Sequence, residues 1–380
     1  MTLEENAGKL SVCHIASGDS WAGAEAQVAS TVRMLARRSD ISLSAIVLNE
    51  GRLASEMRQA GVAVKVIPED RYGFLKIVTE ASGFIREQEV NLLHSHRYKE
   101  NCIAQSLALC CGVGAVVRTQ HGMPEPFVGW RGVRHSLTQR FDSWSGRHLA
   151  GAIISVSSEM APLLARRYGE DKVFTIRNGI DTAGIASPLS REEAKCRLGC
   201  GQKPLIGIVG RLEPIKRVDL FLEVVHELTL RVPDIEFVVA GDGSLRESLI
   251  ACACHKGLEA RVHFLGYRKD IHDVLRALDV LVMCSDHEGL PMVLLEALWL
   301  GVPVVGRAVG GIREVLGENR NGLCVDSSDA EALAAACERL LRDPLLGEDL
   351  CRSARQAIEG DFSAEGNAAA VAELYRRLTG

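Results

Sequence analysis

Two acidic and two basic side chains, with three histidines, carry the chemistry open to this chain of 380 residues. Glu288 lies in the polar loop Ser285-Asp286-His287-Glu288-Gly289-Leu290-Pro291, and Glu296 follows eight positions later. Beside a bound phosphate both carboxylates would repel it, so they suit neighbouring hydroxyls, from which each can accept a hydrogen bond. Arg211 and Lys216 share the loop Gly210-Arg211-Leu212-Glu213-Pro214-Ile215-Lys216 and supply cations for a diphosphate. His94 and His96 close one apolar run, and His121 closes another in Thr119-Gln120-His121-Gly122. A ligand with phosphates at its centre and hydroxyls on both sides meets these requirements together. A sugar nucleotide is such a ligand.

These groups need elements that end where they begin. The apolar run 280–284 reads as a strand, and Pro291 fits the first turn of a helix over 292–300, where its missing N–H would be unsatisfied anyway. Gly301 and Pro303 stop that helix, and a strand at 302–305 follows. A strand that delivers its end to a helix N-terminus is an anion site, with free N–H groups at the positive end of the dipole. Strands at 205–209, 237–240, 262–265 and 323–325 complete this half, with helices starting at 330 and 345. Gly241 follows one of them, in a turn where backbone can approach a nucleotide base. Upstream, strands at 11–17, 43–48, 62–67, 90–94, 115–119, 152–156 and 173–176 alternate with helical stretches at 23–38, 53–60, 74–88 and 101–110. Such alternation implies parallel sheets covered by helices on both faces. Loop 17–25 is not G-x-G-x-x-G, so the dinucleotide fingerprint of a dehydrogenase is missing. Its Gly23 and Glu25 serve a ligand or merely open a closely packed helix.

In order and spacing, Gly-Arg-Leu-x-x-x-Lys from Gly210, Ser-x-x-Glu-Gly-x-Pro-x-x-x-x-Glu from Ser285 to Glu296, Gly-Val-Pro-Val-Val from Gly301 and Gly310-Gly311-x-x-Glu314 resemble the retaining GT-B glycosyltransferases of family 4. The resemblance implies an α/β protein of GT-B fold, two doubly wound Rossmann-like domains facing across a cleft. Residues 1–183 would form the acceptor-side domain and 184–362 the nucleotide-sugar domain, with a last helix at about 363–380 crossing back. Arg211 and Lys216 would neutralise the departing diphosphate, Glu296 bind ribose hydroxyls and Glu288 hold the sugar. Gly210, Gly241, Gly289, Leu290 and Pro291 would shape the donor site. His121 matches the family's active-site histidine, and His94 and His96 match a His-x-His pair of more architectural role. Gly23 and Glu25 match a glycine-rich loop facing acceptor and donor phosphate, although Ala22 stands where that loop often has glycine. Retention of anomeric configuration is implied, with a UDP- or GDP-sugar as donor and a glycan, lipid-linked or small-molecule acceptor. No cofactor and no metal are expected, since the chain contains no Asp-x-Asp, the metal-chelating motif of the other large glycosyltransferase fold. Two rivals remain, a sugar-nucleotide 2-epimerase of the same architecture and a noncatalytic sugar-nucleotide-binding subunit.

The totals fit this picture. The length suits two domains, and 47% apolar with 24% charged residues is ordinary for a water-soluble globular chain. A net charge of −5 gives no basic excess for nucleic acid. No apolar run nears the roughly 20 residues that span a bilayer, and residues 1–9 lack the apolar centre of a signal peptide, so a cytoplasmic protein is expected. The stretch 127–149 mixes Arg131, Arg134, Arg140 and Arg147 with Phe127, Trp130, Phe141 and Trp144. It reads as one buried and one solvated basic face, or as peripheral contact with the inner membrane face or a lipid-linked acceptor. The twelve cysteines lack paired Cys-x-x-Cys spacing, so they are expected as buried free thiols rather than metal ligands.

Overall fold

A computed structural model describes residues 9–18, 21–122, 140 and 142–380. They form two compact units, Met1–Gly179 with Ala364–Gly380, and Ile180–Ser363.

In the first unit, short apolar runs build β1 (Leu10–Ala16), β2 (Ile41–Val47), β3 (Ala63–Val66), β4 (Leu92–Ser95), β5 (Ala115–Gln120), β6 (Ala152–Ser155) and β7 (Val173–Thr175). All pair in parallel in the order β3-β2-β1-β4-β5-β6-β7. The strand order reverses between β1 and β4, where a crevice opens at the carboxyl ends. Register places His14 of β1 directly beside His94 of β4. The helix Ala364–Thr379 belongs to this unit and buries Val371, Leu374 and Tyr375 among apolar residues of β1, β4, β5 and β6.

The second unit repeats the plan with β8 (Leu205–Val209), β9 (Glu236–Ala240), β10 (Val262–Gly266), β11 (Val280–Met283), β12 (Val304–Arg307) and β13 (Leu323–Val325), in the parallel order β10-β9-β8-β11-β12-β13. Its reversal falls between β8 and β11. Both central strands are nearly all apolar and buried, as a strand covered on both faces must be.

Several details of the elements differ from the sequence expectation, three of them beside the site residues. Pro291 does not enter the helix Met292–Trp299 but caps it, with extended φ −74° and ψ 126° and its carbonyl accepting from Leu294 N–H. The strand expected from 302 begins at Val304, because Val302 N–H closes the helix end on Ala297 O at 2.9 Å while Gly301 turns left-handed at φ +78°. The helix Tyr98–Cys111 starts three residues before the expected 101. Cysteine burial is mixed: Cys13, Cys102, Cys200, Cys284, Cys337 and Cys351 are buried free thiols, whereas Cys110, Cys196 and Cys254 are exposed. Most of the 127–149 stretch lies outside the described residues; within it, Trp144 and Arg147 are exposed.

Candidate active site

In the second unit, the loops leaving β8 and β11 meet at the strand reversal and enclose a pocket lined by Gly210, Arg211, Lys216, Ser285 and Glu288. The residues Pro214–Lys216 form a single 3-10 turn, which swings Lys216 back toward β11. Its Nζ donates to Glu288 Oε1 at 2.6 Å, and Ser285 Oγ donates to the same oxygen at 2.6 Å. Asp286 N–H donates to Ile215 O at 2.9 Å, so backbone also ties the two loops together. Arg211 lines the pocket and is exposed.

Glycine makes this closeness feasible. A Cβ on Gly241, at φ +142°, would collide with Gly210 O, and a Cβ on Gly310, at φ +49°, would collide with Glu288 O. Gly311 N–H donates to Gly289 O at 2.7 Å, so the start of the helix Gly310–Leu316 rests on the Glu288 loop. Any side chain here would push that loop off the pocket. Gly289, Leu290 and Pro291 are buried, and Glu296 sits half-buried on the helix beyond, outside the pocket lining. Arg307, at the end of β12, straps the loop from the other side by donating to Cys284 O and Ser285 O at 3.1 and 3.2 Å and to Asp286. Burial raises the Asp286 carboxyl, but the hydrogen bond from Arg307 and the charge of Arg217 outweigh it and hold it below the usual range.

The first unit gathers its histidines at the β1/β4 reversal. His14 Nδ1 lies 3.0 Å from His96 Nε2, and His96 Nδ1 lies 3.3 Å from His121 Nε2. His94 bridges Thr119 Oγ1, at 2.7 Å, and Tyr375 Oη, at 2.5 Å; that hydroxyl is also 3.2 Å from His14 Nε2. Burial pushes His14 and His121 down to about 3, and His94 and His96 well below the usual histidine range. Glu25 is buried and closes the start of the helix Gly23–Ala36 by accepting from Ala22 N–H at 3.3 Å. It also takes a charged hydrogen bond from Arg97, the N-cap residue of the helix Tyr98–Cys111, while Gly23 is the exposed first residue of its own helix. Glu25 thus staples two helix starts.

His14, His94 and His96 each offer a nitrogen within 4.8 Å of the others, a spacing that could hold a metal ion. Every one of their ring nitrogens already has a neighbour within hydrogen-bond reach, so the rings serve one another.

The profile described as Glycosyl transferases group 1 matches residues 190–358, and that of Glycosyltransferase Family 4 matches residues 21–183. A D-inositol 3-phosphate glycosyltransferase of Rhodococcus opacus is 30% identical over 329 residues, 78% of this chain and 71% of that protein. The chain belongs to the family 4 glycosyltransferases. An alpha-maltose-1-phosphate synthase of Mycolicibacterium smegmatis is 29% identical over 346 residues, 85% of this chain and 86% of that one. The crystal structure of Anabaena HepE in complex with UDP-glucose, 20% identical, matches with a TM-score of 0.84 over 97% of this chain and 100% of that chain. The doubly wound units of this glycosyltransferase are therefore those of a GT-B fold. Its motif residues Arg211, Lys216 and Glu288 come together as the sequence implied. His14, Thr119, Tyr375, Arg97 and Arg307 were not foreseen. A histidine within the buried strand LSVCHIA is itself a signal, because a buried imidazole needs a partner. Among the described residues, no helix is long and apolar enough to cross a membrane.

Proposed function

We propose that this glycosyltransferase moves a sugar, with retention and without metal, from a UDP- or GDP-sugar bound in the second unit to a glycan, lipid-linked or small-molecule acceptor. The contact between Lys216 Nζ and Glu288 Oε1 carries the reading. It sets a cation and an acceptor of hydroxyl protons side by side at the strand reversal, where ligands of open α/β sheets bind. A diphosphate entering there gives Lys216 a second anion and draws in Arg211. Glu288, still held by Ser285, then accepts from sugar hydroxyls. As the leaving diphosphate gains charge, fixed cations stabilise it more in the transition state than in the ground state. Glu296, farther along its helix, serves the ribose hydroxyls. His121, just beyond β5, meets substrate. The Rhodococcus relative is named for an inositol phosphate, which supports a small hydroxylated acceptor among the three classes.

A panel of nucleotide sugars read by thermal shift should single out one donor, since binding the native state raises its stability. With that donor, transfer should continue in EDTA and give the anomer present in the donor. Loss of activity on chelation with rescue by Mg²⁺ or Mn²⁺, or an inverted product, would overturn the reading. Epimerised sugar formed with no acceptor present would favour the epimerase instead.

A further inference from the structure

We infer that Tyr375 and His14 are positioning residues that fix which ring nitrogen of His121 carries its proton. The inference rests on the reading of His121 as a group that meets substrate. Six side chains, from β1, β4, β5, the last helix and the residues just beyond β4 and β5, form one unbranched series: Thr119, His94, Tyr375, His14, His96 and His121. A neutral imidazole has one N–H and one lone pair, and a phenol has one proton to give. The burial of these rings keeps all four neutral near pH 7. Tyr375 is fully buried and its hydroxyl has no other side-chain partner among the described residues, so its proton stays in the series. Every link is then satisfied in only two ways, with all the bonds pointing along it or all pointing back.

Thr119 decides between them. Its hydroxyl has a single proton, and His94 Nε2 is its one side-chain partner among the described residues. Donating there makes His94 a donor at Nδ1 to Tyr375 Oη, and Tyr375 then donates to His14 Nε2. His14 gives its Nδ1–H to His96 Nε2, and His96 gives its own to His121 Nε2. His121 is left with its proton on Nδ1. That atom is buried and has no partner among the described residues, and His121 lines a small cavity with Gln27, Thr31 and Asn178. A buried donor without an acceptor is costly, so the site is built for a substrate oxygen to accept from His121 Nδ1–H. Reversing that one donor would require turning every proton in the series.

The test uses the full chain labelled with ¹⁵N, with histidine tautomers read from long-range ¹H–¹⁵N spectra without substrate. The parent should show His121 in one form, protonated at Nδ1. Tyr375→Phe removes the hydroxyl and should leave His121 a mixture of tautomers. It should also lower kcat about tenfold, as loss of an orienting partner does, with donor KM within about twofold. If Tyr375→Phe loosens the fold, Thr119→Val breaks the far end instead, and Thr119→Ser should restore the parent spectrum. His121 protonated at Nε2 in the parent, or a tautomer indifferent to both variants, would overturn the inference. So would a stoichiometric transition metal retained on His14, His94 and His96 after purification. Because the spectrum is read without substrate, absent transferase activity would sink the functional reading and leave this one standing.

Discussion

At the strand reversal of the first sheet, between β1 and β4, four imidazoles lie neutral and bonded in series. At the equivalent place in the second sheet, between β8 and β11, a lysine meets a glutamate. The same topology therefore carries two kinds of polarity. A neutral series holds only when every member is present, and its members come from positions as distant as 14 and 375. A charged pair can exchange partners, so Lys216 can turn to a new anion without a gap opening behind it. Fixed polarity suits orienting a substrate, and exchangeable charge suits binding and releasing one.

The largest test asks whether the first unit's polar interior is structural throughout. Arg118 and Asp142 form a buried ion pair at 3.1 Å, with Asn101 and Tyr168 also donating to Asp142. Arg118→Leu leaves that carboxylate uncompensated and should cost about 3–5 kcal/mol, read by denaturant unfolding. A loss under about 1 kcal/mol would mean that the interior tolerates broken polarity.

Lys216→Ala probes the other unit. It should lower kcat by about 10²–10³, roughly 2.7–4 kcal/mol of barrier, with little change in melting temperature. A fall of less than about threefold would remove Lys216 from the chemistry. A large drop in melting temperature would make the charged pair as structural as the histidine series.

A third test uses pH. Burial raises Glu100 in the first unit to about 7, and neither carboxylate oxygen has a side-chain partner among the described residues. The folded state then holds this proton more tightly than the unfolded chain, so stability falls as pH rises from about 4.5 to 7 and levels off above. The span is on the order of 3 kcal/mol. Glu100→Gln should flatten that part of the stability curve. An unchanged slope in the variant would show that Glu100 is ionised in the folded protein.

The smallest effects separate two glutamates of the second unit. Glu288→Gln should lower kcat about tenfold, since its sugar contact changes as the bond breaks. Glu296→Gln should mainly raise donor KM by a similar factor of about ten. The reverse pattern in steady-state kinetics would exchange their assignments.

The two sites also differ in how far the sequence disclosed them. Arg211, Lys216, Ser285 and Glu288 sit in two short loops behind plain apolar strands, within the motifs that carry the family resemblance, so the sequence could bring them together. The histidine series depends on register: only the pairing of His14 with His94, and the return of residues 364–380 to the first unit, make neighbours of His14 and Tyr375. Local sequence carries no trace of the register, and the return of the last helix was implied only by the family resemblance. Glu25 reads as a ligand-loop residue as much as a cap, and its pairing with Arg97, 72 positions away, is a tertiary contact that local sequence does not show. The strand start at Val304 was misplaced because a helix end consumed Val302's amide, a bond that apolar patterning does not register.

The return of residues 364–380 has a consequence for synthesis on the ribosome. Residues 180–363 are all made before the helix that completes the first core. At about 5–20 residues per second that interval lasts roughly 10–40 s. Throughout it β1, β4, β5 and β6 lack the cover of Val371, Leu374 and Tyr375. The second unit, continuous in the chain, can fold meanwhile. The first-made half is thus the last to be finished, and a nascent chain stalled after residue 363 would present an uncovered sheet face to chaperones.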